Sequence, residues 1–312
     1  MAWEISPIIG VLEIAFKLSV PFTLLGIGQL VAQRSGVLDI GLEGTMLMGA
    51  VTGFLITYLT GDYVLGFLVA MLVGVIMGIF EAYLVVSLKI DQVLIGMMIW
   101  IFGIGMSTLL HKIFVGVRAA LPIVTALPNI PIPLLSDIPI IGSILFNQNV
   151  MVYASYVLVL VIHLVIFKTT YGLKLRAVGE NPKAADTLGI NVELVRYLAL
   201  VFSSALNGLG GAYMPLAETG TFTIGITGGR GWIALQLAAF GRWIPPLTFL
   251  GSLLFAIVEA LAYRVQLVYK AIPYHFILMM PYIVVIITLI YIYKGVIPPT
   301  ALGIPYKREE EK

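Results

Sequence analysis

Continuous apolar runs of about 20 residues recur along this chain, each long enough to cross a bilayer as a helix. In lipid every backbone N–H and C=O must be satisfied within the protein, so only helices and closed barrels span. The runs are continuous rather than alternating, which selects helices over a barrel. Composition agrees. Of 312 residues 60% are hydrophobic and only 11% charged, where a soluble domain carries roughly 25% charged residues. The fold class is therefore an all-α polytopic membrane protein, read as a single transmembrane domain over 1–312. The lipid bilayer is its first partner.

About nine spans are expected, within a range of eight to ten: 8–31, 37–60, 63–88, 93–110, 150–167, 198–216, 232–240, 247–266 and 276–293. Broken helices are expected near 33–44 and 218–243. The first contains the polar break Gln33-Arg34-Ser35-Gly36. The second contains ETGTFTIGITGGRG, which is too polar and glycine-rich for lipid-exposed helix. Such backbone is tolerated at membrane depth only when buried or lining a cavity. The Pro-rich segment from His111 to Asn149 reads as loop with a short interfacial piece. Tyr58, Tyr63, Trp243 and Tyr293, at span ends, read as interface anchors.

The long polar passage at 168–197 separates two apolar runs and carries a short helix with readable ends. Asn181 is a good N-cap, and Pro182 fits the first helical position. Ala184, Ala185 and Leu188 form a small apolar face, and Gly189 supplies the stop. Two turns do not hold a helix in water, so this one needs a surface. Either it lies on the membrane or its own bundle, or it docks a cytoplasmic partner.

Lys and Arg placement sets orientation. With 168–197 inside, twelve of the 18 basic residues fall inside. Lys112, Arg118, Arg230 and Lys270 fall outside. The N-terminus is then out, the C-terminus in, and 295–312 is a polar, mobile cytoplasmic tail.

No constellation looks catalytic. The chain lacks a GxxxxGK[ST] phosphate loop and any cysteine, which excludes disulfides and thiolate metal sites. Three scattered histidines make no metal site, and no basic patch with interleaved aromatics points to nucleic acid. What stands out is polar content inside the spans, where charge is costly and faces a cavity or a partner. Asp39 and Glu43 lie four apart at the start of the second span. They either pair with Arg34 at the interface or line a route. Glu81 follows the packing motif Gly74-Val-Ile-Met-Gly78. Glu259 is similar, and neither has a partner legible in the sequence. Asn207, Phe222 and Gln236 are the further candidates for a translocation path.

Three blocks carry a family resemblance: QRSGVLDIGLEGTMLMGA (33–50), TTYGLKLRAVGENPKAADTLGINV (169–192) and GRGWIALQLAAFGRWIPP (229–246). The chain resembles the permease subunits of prokaryotic ABC importers in the branched-chain amino acid and simple-sugar group, most closely those for nucleosides linked to basic membrane proteins. Many such permeases have Asn where this chain has Asp39. The resemblance implies a prokaryotic inner-membrane permease working by alternating access. It implies a partner ATPase holding ATP and Mg, a second, non-identical permease and an extracytoplasmic substrate-binding protein. No cofactor is expected in this chain. The resemblance favours the docking reading of 181–189, making 168–197 a cytoplasmic coupling loop. Simple sugars or branched-chain amino acids are the alternative solutes. An ion-coupled carrier would explain the buried carboxylates but leave the docking helix without a role.

Overall fold

The computed structural model describes residues 2–116, 122–268, 273–292 and 297–307. Arg118, Lys270, Tyr293, Lys294, Arg308 and Lys312, which bear on the expected orientation and anchors, lie outside them. The helices are α1 (Ala2–Arg34), α2 (Leu42–Thr60), α3 (Tyr63–Ala82), α4 (Gln92–Phe114), α5 (Ile141–Phe146), α6 (Val150–Lys168), α7 (Thr170–Glu180), α8 (Pro182–Thr187), α9 (Val192–Tyr213), α10 (Arg230–Phe240), α11 (Pro245–Val268) and α12 (Tyr274–Ile292). Strands β1 (Asn129–Pro131) and β2 (Asn147–Asn149) form a small antiparallel pair that leads directly into α6.

Among the described residues, seven helices are long and apolar enough to cross a membrane, and α12 contributes the shorter apolar stretch Met279–Thr288. The expected span at 232–240 is instead the 11-residue α10. At 1.5 Å per residue it covers about half a bilayer core, so it is a half-helix.

Many helix starts follow side-chain caps. Asp62 accepts from the Val64 and Leu65 N–H groups, Asp91 from Leu94, Asn149 from Met151 and Val152, and Asn191 from Leu194. Each satisfies donors that the first helical turn leaves open. The end of α9 is different. Pro215 sits in a π-helical turn, Met214–Glu218, closed by the Thr219 N–H on the Met214 carbonyl. Proline disrupts the normal ladder, and the widened turn carries Glu218.

The centre of the bundle is α2. In its apolar window 78% of residues are buried, against 28% in α4 and α6, which lie at the perimeter. α2 packs on α3, α4 and α9, while α1 packs on α9, α10 and α11. Small residues permit the approach. A Cβ on Gly49 would strike the Gly208 carbonyl oxygen, and one on Gly74 the Ser204 carbonyl oxygen. The α3 packing motif thus lies against α9.

Two loop systems close the ends. At one end Val124 and Leu127 donate backbone N–H groups to Gly220 and Leu216, at 2.7 and 2.9 Å, laying 122–127 over the end of α9. At the other end residues 297–307 pack back on the bundle rather than forming a mobile tail. The Ala301 N–H reaches the Gly179 carbonyl at 2.9 Å, and the Gly303 N–H reaches Gly36 at 3.0 Å. Buried Arg196 donates to the Ile304 carbonyl at 2.9 Å.

Candidate functional site

The block 33–44 is a break between α1 and α2 that turns back into the bundle. α1 ends at Arg34, Gly36 takes a positive φ of 88°, and α2 begins at Leu42. Side chains from three helices satisfy the break. Gln29 donates to the Asp39 carbonyl at 2.7 Å, and the Gln92 carboxamide oxygen accepts the Leu38 N–H at 2.8 Å. The Asp39 carboxylate is fully buried, and its Oδ2 accepts from Ser203 Oγ at 2.6 Å and Asn207 Nδ2 at 2.8 Å, both on α9. Glu81, also fully buried, lies against Gly41: a Cβ there would come within 2.8 Å of Glu81 Oε2. Asp39, Glu81 and Asn207 therefore converge. Arg34 does not join them; it donates to the Trp243 carbonyl at 3.2 Å.

Glu43 performs a separate task. Its Oε1 accepts from Thr227 Oγ1 at 2.6 Å and from the Gly229 N–H at 3.0 Å, and its Oε2 accepts from the Gly231 N–H at 2.7 Å. Gly229 is the N-cap of α10. A carboxylate here satisfies open donors and complements the positive end of the helix dipole. The other end of α10 is tied to α1. Trp243 is buried, donates through Nε1 to Gln33 Oε1 at 2.9 Å, and is not an interface anchor.

Arg230, counted above with the outer basic residues, is the first residue of the half-helix and is tied to carboxylates. Its Nη1 donates to Glu218 Oε2 at 2.9 Å and its Nε to Glu259 Oε1 at 3.0 Å, with Nη2 on the same Glu259 oxygen and on Tyr263 Oη. Tyr263 Oη also donates to Glu259 Oε1 at 2.8 Å. Tyr282 on α12 donates to the Gly228 carbonyl at 2.8 Å. Arg230, Glu259, Tyr263 and Tyr282 border a cavity of about 370 Å³ between the 223–228 loop, α11 and α12, within the usual range for small-molecule sites. Phe222 does not line it. That ring is fully buried against Phe54 and His111. Gln236 is half-buried on α10 and joins neither cluster.

Sequence reasoning missed Arg230, Glu218, Tyr263 and Tyr282. One signal was available: Glu259, Tyr263 and Gln266 fall at i, i+4 and i+7, a polar stripe on one face of an otherwise apolar helix.

The polar passage contains two helices where one was expected. α7 precedes α8 and packs so closely on the end of α1 that a Cβ on Gly179 would strike the Arg34 carbonyl oxygen. Asn181 caps α8 at Ala184, at 3.0 Å, with Pro182 first in the helix. Gly189, at φ 79°, closes it: its N–H reaches Asp186 and the Ile190 N–H reaches Ala185, the paired C-terminal bonds of a Schellman motif. The expected apolar face is split. Ala185 is 2% exposed and packs inward, whereas Ala184 is exposed and Leu188 is 81% exposed.

The family described as branched-chain amino acid transport system / permease component matches residues 11–290. The nucleoside ABC transporter permease protein NupC of Lactococcus lactis subsp. cremoris is 34% identical over 297 residues, 92% of this chain and 93% of that protein. The guanosine ABC transporter permease protein NupQ of Bacillus subtilis is 34% identical over 298 residues, 92% of each. TsgC13 of Haloferax volcanii, provisionally named a glucose ABC transporter permease, is 35% identical over 261 residues, 82% of this chain and 78% of that protein. No solved structure matches. A helical bundle with broken central spans, matched almost end to end by such proteins, belongs to the branched-chain amino acid transport system / permease component family and is a multi-pass permease of the ABC-transporter kind.

Proposed function

We propose that this chain is the membrane-spanning subunit of an ATP-driven importer that moves nucleosides by alternating access. ATP and Mg would be held by a separate ATPase, and a substrate-binding protein would deliver solute from outside. The chain would pair with a second, non-identical permease. The observation that carries this reading is α8: a helix capped at both ends, standing at the bundle surface, with Leu188 offered to a partner. An importer whose ATPase is a separate subunit needs such a contact. The end bearing Arg34, Lys168, Lys174, Arg176, Lys183 and Lys307 is assigned to the cytoplasm by its basic residues. That makes the N-terminus external and the C-terminus internal.

In this reading Asp39, Asn207 and Glu81 hold the broken start of α2, and Glu43 couples α2 to the half-helix α10. A shift of α2 then moves α10 with it, which is how docking events at α8 reach the cavity. An ion-coupled carrier fits less well, because Glu43 has both carboxylate oxygens engaged by internal donors and the capped helix α8 would be left without a role. Likeness to NupC and NupQ over most of the chain supports nucleosides, and likeness to TsgC13 keeps simple sugars as the second reading.

Proteoliposomes holding this chain, the neighbouring permease, the ATPase and the binding protein test it. ATP-dependent accumulation of radiolabelled guanosine or adenosine is expected. Accumulation of ribose or leucine instead would move the solute, and uptake without the ATPase would overturn the mechanism.

A further inference from the structure

Two groups near the 370 Å³ cavity could recognise an anion, and the fold neutralises both. One is Arg230, the only cationic side chain among the described residues lining the cavity. Its guanidinium is held by two carboxylates, Glu218 and Glu259, with side-chain exposures of 8–12% across the three. The other is the N-terminus of the half-helix, a natural anion site, already filled by Glu43.

The remaining wall suits a different ligand. Glu259 receives all its hydrogen bonds on Oε1, so Oε2 accepts none among the described residues. Gln266, one helical turn beyond Tyr263, adds an amide donor and acceptor. Phe22, Tyr263 and Tyr282 add aromatic rings. A carboxylate oxygen accepts strongly from hydroxyl and ring N–H groups. It repels phosphate, most strongly in a low-dielectric site. It attracts the ammonium of an amino acid, but the carboxylate of that zwitterion finds no free cationic partner, because Arg230 and the α10 N-terminus are already taken.

We infer that this cavity is the chain's solute pocket and that it takes an uncharged, hydroxyl-bearing ring solute while refusing anions and zwitterions. The inference rests on the transport reading above and narrows it: nucleosides and sugars fit, and branched-chain amino acids do not. The polar stripe Glu259, Tyr263 and Gln266 then has its place on a route, where polar groups within membrane spans belong.

The absence of native cysteine makes a direct test available. Single-cysteine variants Gln266→Cys and Thr223→Cys, at the cavity, and Leu267→Cys, on the adjacent outward face and 78% exposed, are reconstituted in the complete complex. They are treated with a charged methanethiosulfonate reagent, and modification of this chain is read by intact mass. Guanosine is expected to slow modification at Gln266→Cys and Thr223→Cys several-fold and to leave Leu267→Cys unchanged. Leucine and guanosine monophosphate should protect neither cavity position. Guanosine uptake with no protection at either cavity position would overturn the pocket while leaving the transport reading standing. Protection by leucine or the monophosphate would overturn the charge rule. If the wild-type complex carries glucose and not guanosine, the nucleoside reading fails, and protection by glucose still supports the pocket.

Discussion

Glu43 Oε2 accepts the Gly231 N–H at 2.7 Å, joining the first turn of α2 to the first turn of α10 across 188 residues of sequence. A Cβ on Gly231 would collide with that same oxygen, so the contact needs both residues as they are. The first turn of a half-helix that starts inside the bundle leaves its N–H groups open, and the buried Glu43 carboxylate accepts from two of them.

Glu43→Ala leaves the Gly229 and Gly231 N–H groups and the Thr227 hydroxyl without their acceptor. Each stranded buried donor costs about 1–3 kcal/mol. A marked drop in the melting temperature of the detergent-purified complex and loss of ATP-driven uptake are expected. Glu43→Gln keeps one acceptor oxygen and should fall between wild type and Ala. Wild-type melting of Glu43→Ala would refute the tie.

Asp39→Asn is expected to be tolerated. Ser203 and Asn207 both donate to Oδ2, and an amide oxygen can receive both. Losing the carboxylate also removes like charge close to buried Glu81. Asp39→Leu strands both donors at about 1–3 kcal/mol each and should lower folded yield. The comparison is read by fluorescence-detected size exclusion; an Asn variant as damaged as Leu would show that the charge itself is required.

Leu188→Asp and Ala185→Arg should part company. Leu188 is exposed, so its replacement should leave this chain folded and, on the proposed docking role, reduce ATPase co-purification. Ala185 is buried, and an arginine there must displace its packing, so the folded permease itself should be lost. Equal co-purification of the ATPase with Leu188→Asp would count against α8 as the docking element.

Deleting residues from 297 onward removes the Ile304 carbonyl that Arg196 donates to and the Ala301 and Gly303 contacts on 179 and 36. A buried charge left without its acceptor is strongly destabilising. Hydrogen exchange over 176–196 should rise sharply in the truncated protein. Unchanged protection there would mean the tail contributes nothing to holding α7 and α8.

Local chemistry makes much of this protein legible in its amino-acid sequence. Span-length apolar runs, the caps at Asn181 and Gly189, the breaks near 33–44 and 218–243 and the packing glycines of α3 are properties of short windows, and the fold bears them out. What faces what is another matter. In spans apolar on nearly every side, periodicity names no inward face, and helix placement follows close approaches such as Gly49 on Gly208. Those approaches bring Glu218, Arg230 and Glu259 together from three elements, turn Ala185 inward and Leu188 outward, and fold 297–307 back onto the bundle. The sequence alone determined the span-length helices and the capped ends of α8, though not α7; the tertiary structure decided which charges meet, because partners 29 and 188 residues apart are chosen by packing.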